Sequence, residues 1–436
     1  MNNVYKFIAK AVRAGSKSIG KKGTDLPGKV LRKINSNVLK DLTKDFDDIV
    51  FVTGTNGKTT TSNLIGHTLK TSGLEIVNNY EGANMLDGII STFAIQSSKN
   101  TKIAIIEIDE GSIKKVMNYV TPTKFVFNNF FRDQIDRFGE IDTLIDTIGR
   151  QLEGKNIQLI LNSDDPFVSR LSKYGKENIY FGISKNTYKF DNIGITESKF
   201  CPVCSSELNY DHIHYSQLGY YSCNNCDFKR HKVDYEVTSA RVNPLITISI
   251  NNNKEFTTSQ LGDFNIYNIL SAYTTLSVLG IDEDNIIRGL SSYTSNNGRM
   301  QIIRKKDSDV VSLLNLAKNP AGMNASLNIA NSMDKNISIN YLLVLNDNGA
   351  DGFDISWIWD SDFSILESQN IKNIVCSGKR AKELALRLKY TNISANIYVD
   401  ENIKNAVNKL KSFNEQYNIV IPNYTALVET QNELER

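Results

Sequence analysis

Histidine is scarce in this chain: His67, His212, His214 and His231 are its four, and nothing beyond residue 231 carries an imidazole. A cysteine nucleophile of the familiar kind needs a histidine to activate it, so Cys376, the one cysteine beyond residue 226, has no such partner in its own domain. Five cysteines in all are too few to read as a disulfide framework. No apolar run reaches the roughly eighteen residues that cross a bilayer. No short apolar stretch leads into a small-residue cleavage site, so a cytoplasmic location is expected. The net charge of +2 supplies no bulk attraction to a polyanion. What is left is a chain of 436 residues, 40% hydrophobic, long enough for about two or three domains.

Residues 49–60 stand out. An apolar β-branched run, Ile49-Val50-Phe51-Val52, feeds Thr53-Gly54-Thr55-Asn56-Gly57-Lys58-Thr59-Thr60, and a helical pattern continues to Lys70. Gly54 and Gly57 let the backbone curl until its N–H groups face phosphate oxygens, and the following helix N-terminus adds partial positive charge. In such a loop Lys58 meets the β- and γ-phosphates of a nucleotide and the Thr59 hydroxyl is a ligand of Mg²⁺. Val52 stands where the usual G-x-x-x-x-G-K-[ST] has its first glycine.

Downstream, strand and helix patterns alternate: strands near 103–108, 124–127 and 157–161, helices near 112–119, 141–152 and 166–173. Alternation of this kind predicts a parallel sheet covered on both faces, with ligands at the carboxyl ends of its strands. Glu107 lies at such an end, with Asp109 and Glu110 just beyond. A second alternation fills 303–436, with strands near 310–314, 341–345, 374–376, 397–399 and 419–421. It predicts a Rossmann-like α/β domain after an ATP-binding domain over 46–302. Residues 1–45 read as a basic arm. Over the first forty residues Lys6, Lys10, Arg13, Lys17, Lys21, Lys22, Lys29, Arg32, Lys33 and Lys40 are opposed by Asp25 alone, and Val4, Phe7, Ile8, Ala11 and Val12 follow helical spacing over 3–14. Such a helix lies on anionic lipid headgroups or packs on its own domain.

Cys201-Pro-Val-Cys204 and Cys223-Asn-Asn-Cys226 form C-x₂-C-x₁₈-C-x₂-C within a segment of about 197–233. Two such knuckles complete a closed tetrahedron, so a structural Zn²⁺ is expected. Tyr210, Tyr215, Tyr220 and Tyr221 beside them would serve either as a nucleic-acid stacking surface or as the module's core.

Gly54 to Thr60 resembles the ATP loop of the Mur ligases and folylpolyglutamate synthetases. Ile106-Glu107-Ile108 is similar to their Mg²⁺-binding glutamate strand, and 129–139 to their Asn-x-x-x-Asp-His-Leu-Asp segment. Residues 161–166 and 262–268 are similar to their nucleotide-side motifs, and Gly298-Arg299-Met300 to their inter-domain arginine. The resemblance implies a Mur-ligase-like P-loop α/β fold that activates a carboxylate with ATP. It makes Thr55, Asn56, Gly57, Lys58, Thr59, Thr60, Asn268 and Arg299 the ATP-binding residues, with Asn268 at the adenine. Gln134 replaces the usual histidine ligand, and the lysine that the family carbamylates has no counterpart near 147–150.

The loops 316–324 and 346–360, with the cysteine ribbon, resemble the MurT-type branch, the synthetase subunits of lipid II isoglutaminyl synthase. That branch implies ATP-dependent amidation of a D-glutamate α-carboxylate on lipid II, with ammonia from a GatD-type glutaminase partner. Lys318 and Asn319 become substrate candidates. Asp354 becomes the residue that completes the partner's Cys-His pair, with Asp347, Asp351 and Asp360 as rivals and Trp357 and Trp359 as interface anchors. The alternatives are a folylpolyglutamate-synthetase-like ligase and a nucleic-acid-binding module.

Overall fold

The structure is a computed structural model describing residues 2–18, 23–131, 141–190, 198–243, 245–294, 300–304, 310–333, 336–413 and 415–436. Strands β1 (Asp48–Thr53), β2 (Ile76–Asn78), β3 (Ile103–Glu107), β4 (Lys124–Phe127), β5 (Gln158–Asn162) and β6 (Glu177–Ile183) build the first sheet. A ribbon hairpin follows, β7 (Leu208–Tyr215) and β8 (Leu218–Cys223), and then β9 (Tyr235–Asn243), β10 (Leu245–Ile250) and β11 (Phe256–Leu261) return to that sheet. The order is β11-β10-β9-β6-β5-β4-β1-β3-β2. Pairing is parallel from β2 to β9 and antiparallel at the β9-β10-β11 edge.

Period-two alternation sends Phe51, Ile106 and Phe125 to one face, where they meet the N-terminal helices and the helices Leu86–Gln96 and Ile141–Leu152. Val50, Val52, Ile105 and Val126 point to the other, against Lys58–Thr71 and Asn265–Val278. A parallel sheet buried on both faces reads as a continuous apolar run for this reason.

The second sheet joins β12 (Gln301–Arg304), β13 (Val311–Leu314), β14 (Ile339–Val344), β15 (Ile371–Ser377), β16 (Asn396–Asp400) and β17 (Tyr417–Pro422) in the order β12-β13-β17-β14-β15-β16. Only β12 is antiparallel to its neighbour.

The helices of residues 1–45 pack on the first unit: Tyr5, Ala9, Leu31, Val38, Leu39 and Leu42 belong to its core, and the first helix runs Asn2–Ser18. Strand β12, which spans the expected boundary at 302/303, pairs within the second sheet. The helix after β13 is Pro320–Leu327, followed by a 3₁₀ turn, Asn328–Ser332. Pro320 presets the backbone at its first position and Asn319 caps it, accepting from Gly322 N–H at 2.7 Å. Strands β2, β6 and β9–β11 and the helix Leu86–Gln96 have no counterpart in the predicted alternation.

Candidate active site

The phosphate loop joins β1 to the helix Lys58–Thr71. Gly54 (φ +135°) and Gly57 (φ +82°) sit where a side chain is excluded: a Cβ would fall 2.9 Å from the Asn129 backbone in the first case and 1.9 Å from Asn268 Oδ1 in the second. Asn129 holds the loop, its Oδ1 accepting from Asn56 N–H at 2.9 Å and its carbonyl from Thr55 N–H at 2.9 Å. The Thr55 hydroxyl ties to the Phe131 backbone in both directions, at 2.9 and 3.1 Å. Thr59 and Thr60 are buried in the first helical turn. Asn268, expected at the adenine, has its amide packed on Gly57 and bonded to Asn265 Oδ1 at 2.7 Å.

Lys58 is folded back on its own loop. Its ammonium donates to the carbonyls of Gly54 and Thr55 and to both oxygens of Glu110, at 3.1 and 3.2 Å. Both side chains are below 10% exposed, at 9% and 7%. Burial pushes the Glu110 carboxyl up, and the ammonium of Lys58 opposes that shift.

Glu107 ends β3 opposite Val52 of β1, so it stands beside the loop. Asn79 accepts from its backbone N–H at 2.8 Å, and Asn84 donates to its Oε1 at 2.8 Å. Its Oε2 is buried with no hydrogen-bond partner among the described residues. A carboxylate oxygen that is dry and unpaired at the carboxyl end of a sheet fits a divalent cation. Asn79, Asn84 and Glu110 carry no motif of their own. The polar run after β2 and the acid three residues past Glu107 were the only signals available.

The second unit closes on this loop. Asn319 Nδ2 reaches Asn56 Oδ1 at 3.3 Å, and Lys318 lies close enough to Glu110 to act on its charge. Tyr215 of the ribbon donates to the Ala321 carbonyl at 2.6 Å. Arg299 and Gln134 lie outside the described residues.

Residues 161–166, expected on the nucleotide side, are a buried hub. Asp164 accepts from Arg230 Nε (2.6 Å), Tyr267 Oη (2.9 Å) and Ile183 N–H (2.9 Å). Asp165 accepts from the Phe130 and Phe167 N–H groups. Both aspartates are fully buried, so their role here is to bind β5, β6 and the ribbon together.

The four cysteine sulfurs lie within 4.8 Å of one another, Cys201 to Cys226 at 3.5 Å and Cys204 to Cys223 at 3.4 Å. A disulfide needs about 2.05 Å. The edge of a tetrahedron with Zn–S near 2.3 Å is about 3.8 Å, so zinc fits. Val203 and Asn225 N–H groups point at Cys201 and Cys223 sulfurs at 3.4 Å, as metal knuckles require. Hydrogen bonds from Ser206 bring the Cys204 thiol down to about 6. No histidine joins this cluster among the described residues. Two of the tyrosines are core, Tyr215 and Tyr221, the latter donating to Ser169 Oγ at 2.6 Å, while Tyr210 and Tyr220 are half-buried.

In the loop after β14, Asp351 is buried and accepts from Thr425 N–H at 2.8 Å, while Asp347 pairs with Arg380 at 2.7 Å. Those two rivals have structural employment. Asp354 is exposed and accepts from Ser356 N–H at 2.8 Å, beside Phe353, which is 76% exposed. Asp360 is exposed too. Trp359 is 48% exposed and lies edge-on to Tyr390, whereas Trp357 is packed partly into the second core. Cys376 is fully buried, its thiol pushed up to about 12 by burial, which makes it inert.

Residues 52–227 match the family described as Mur ligase middle domain, and 316–427 that described as MurT ligase C-terminal. The chain is 48% identical over 429 residues to the lipid II isoglutaminyl synthase (glutamine-hydrolyzing) subunit MurT of Staphylococcus aureus (strain N315), covering 98% of this chain and 97% of that one. It is 34% identical to the subunit of the same name from Streptococcus pneumoniae (strain ATCC BAA-255 / R6), over 94% and 91%. Among solved structures, a pseudomurein peptide ligase type C from Methanothermus fervidus superposes with a TM-score of 0.70 at 25% identity, covering 93% of this chain and 83% of that one. MurF from Acinetobacter baumannii shares the fold at 14% identity, with a TM-score of 0.65 over 92% and 79%. The chain therefore belongs to the MurT family of Mur ligases.

Proposed function

We propose that this protein is the synthetase subunit that amidates the α-carboxylate of D-glutamate in the peptidoglycan stem peptide of lipid II, giving D-isoglutamine. The observation that carries the reading is the 48% identity to the S. aureus subunit over nearly the whole of both chains. The folylpolyglutamate-synthetase alternative loses its ground with the family membership.

The chemistry requires activation, because ammonia does not displace oxide from a carboxylate. A carboxylate oxygen attacks the γ-phosphorus of ATP, the bond to ADP breaks, and an acyl phosphate forms. Ammonia then adds to the carbonyl carbon, phosphate leaves with the former carboxylate oxygen, and loss of a proton leaves the amide. Lys58 and the N–H groups from Thr55 to Thr60 would hold and neutralise the phosphates. Thr59 and Glu107 would hold Mg²⁺, which when bound neutralises phosphate charge. Asn268, which buttresses Gly57, and Arg299 are the further nucleotide contacts, and Lys318 and Asn319 the candidates for the substrate carboxylate. Zn²⁺ on Cys201, Cys204, Cys223 and Cys226 would be structural.

Ammonia would come from a GatD-type glutaminase, in a heterodimer or larger assembly. Asp354 is then the acid offered to the partner's histidine, and Trp359 the exposed anchor beside it. A lipid-linked substrate puts the reaction at the inner face of the cell membrane.

Co-purification with the glutaminase of the same organism, followed by mass spectrometry of lipid II incubated with ATP and glutamine, tests this. The expected result is the small mass decrease of exchanging OH for NH₂, dependent on both subunits and abolished by Lys58→Ala. Asp354→Ala is expected to depress glutamine-driven amidation far more than ammonium-driven amidation. An unmodified carboxylate with folded, ATP-hydrolysing protein would move the substrate elsewhere.

A further inference from the structure

The N-terminal helices carry a charge imbalance that the whole chain conceals. Ten cations against Asp25 make residues 1–40 about +9, so a chain of +2 leaves −7 for the remainder. The helices Asn2–Ser18 and Leu26–Ile34 form an antiparallel hairpin. Asn35 Nδ2 donates to Tyr5 Oη at 2.8 Å at one end, and at the other a Cβ on Gly23 would lie 2.7 Å from that of Ser16. Gly28 is pressed so closely on the Asp87 carbonyl that a Cβ would fall 1.8 Å from its oxygen, which locks the hairpin onto the helix Leu86–Gln96. Arg13 and Arg32 pair with Glu81 and Asp87 at 2.7 Å, and Lys6 donates to the Ser97 carbonyl. These cations fasten the hairpin to the body and neutralise the acids nearest to it.

Packing on its own domain accounts for only the inner face of the hairpin, where Tyr5, Ala9 and Leu31 are buried. On the outer face Val4 and Ile34 are 60% exposed, Phe7 76% and Leu26 45%. Lys10, Lys29 and Lys33 are exposed on the same two helices, with no ion pair among the described residues. Apolar side chains standing out of a helix among unpaired lysines match a bilayer interface, where acyl chains receive the former and lipid phosphates the latter. Nucleic acid would use the lysines and leave Phe7, Val4 and Ile34 in water.

We propose that the outer face of this helical hairpin docks the protein on an anionic bilayer surface, with Val4, Phe7 and Ile34 entering the headgroup region and Lys10, Lys29 and Lys33 meeting lipid phosphates. The inference stands apart from the amidation reading: an enzyme acting on a soluble carboxylate would carry the same face.

The test is co-sedimentation of the full chain with vesicles containing phosphatidylglycerol and with vesicles of phosphatidylcholine alone, at low and high salt. Binding is expected to the anionic vesicles only and to weaken with salt. Phe7→Ser combined with Ile34→Ser should weaken it by about tenfold or more, and Lys10→Gln or Lys33→Gln by roughly fivefold each. All these variants should keep the parental thermal shift on adding ATP, since none touches the phosphate loop. Failure to sediment with anionic vesicles, or serine variants that bind like the parent, would overturn the proposal. So would a dimer of this chain that Phe7→Ser dissociates without any vesicle binding.

Discussion

The state of Lys58 is the most informative single-residue feature. Its ammonium is satisfied by two loop carbonyls and by Glu110, so a nucleotide entering the loop must exchange its phosphates for contacts that already exist. Removing one member of a buried ion pair leaves the other uncompensated. Glu110→Ala is therefore expected to lower the stability of the nucleotide-free protein by about 3 kcal/mol, because both side chains are nearly excluded from water. Added ATP should restore part of that loss, since a phosphate replaces the missing carboxylate as counter-charge. Differential scanning fluorimetry reads both effects: a lower melting temperature alone and a larger ATP-induced rise than in the parent. An unchanged melting temperature would mean that the pair is neutral to stability, as some buried pairs are.

Among the elements, the cysteine ribbon reaches further into the enzyme than an insertion needs to. Gly219 N–H donates to the Asp164 carbonyl at 2.8 Å, Gln217 to the Phe130 carbonyl at 2.7 Å and Tyr215 to Ala321 at 2.6 Å. One hairpin thus touches the hub behind the nucleotide side, the strand end that holds Thr55, and the helix capped by Asn319. Stripping metal with a chelator should melt the knuckles and loosen all three contacts. The expected outcome is one zinc per chain by elemental analysis, lost with Cys204→Ser and kept with Cys376→Ser. Loss of the metal should also shrink the ATP-induced thermal shift. If chelation leaves that shift intact, the ribbon is only an appendage.

At the scale of the whole molecule, acid should destabilise the fold through its histidines. Burial is the largest cause lowering the pKa of His67, His212, His214 and His231. The unfolded chain therefore takes up protons at about 6.5 while the folded chain does not yet. Stability is complete above that value and falls as pH drops from about 6.5 towards the lowered folded-state values. Urea unfolding midpoints measured across that window should decline with acid, and His214→Gln should reduce the slope. His214 is the test case because it is almost fully buried, with Nε2 facing the Ile183 carbonyl at 3.1 Å. A slope unchanged by that substitution would assign the decline to the other three histidines or to carboxylates.

Much of the architecture was legible along the chain because it depends on local spacing. The glycines and lysine of the phosphate loop, the paired cysteine knuckles and the apolar runs of the central strands each declare themselves within a few residues. The antiparallel edge β9–β11 did not, since its pairing depends on neighbours rather than on its own pattern. Sequence also could not separate Asp354 from Asp347 and Asp351, which are four acids with Asp360 in one loop; Arg380 and Thr425, brought in from elsewhere, did so for two of them. Likewise Asp164 and Asp165 look like ligand contacts in one dimension, and only the fold shows that they also tie Arg230, Tyr267 and three backbone N–H groups together. The sequence by itself determined the ATP loop, the paired cysteine knuckles and the two α/β units. Only the tertiary structure decided which charges are buried and paired, which carboxylate oxygen is left without a partner, and which face of the first hairpin meets water, because each of those depends on groups distant in sequence coming within hydrogen-bond reach.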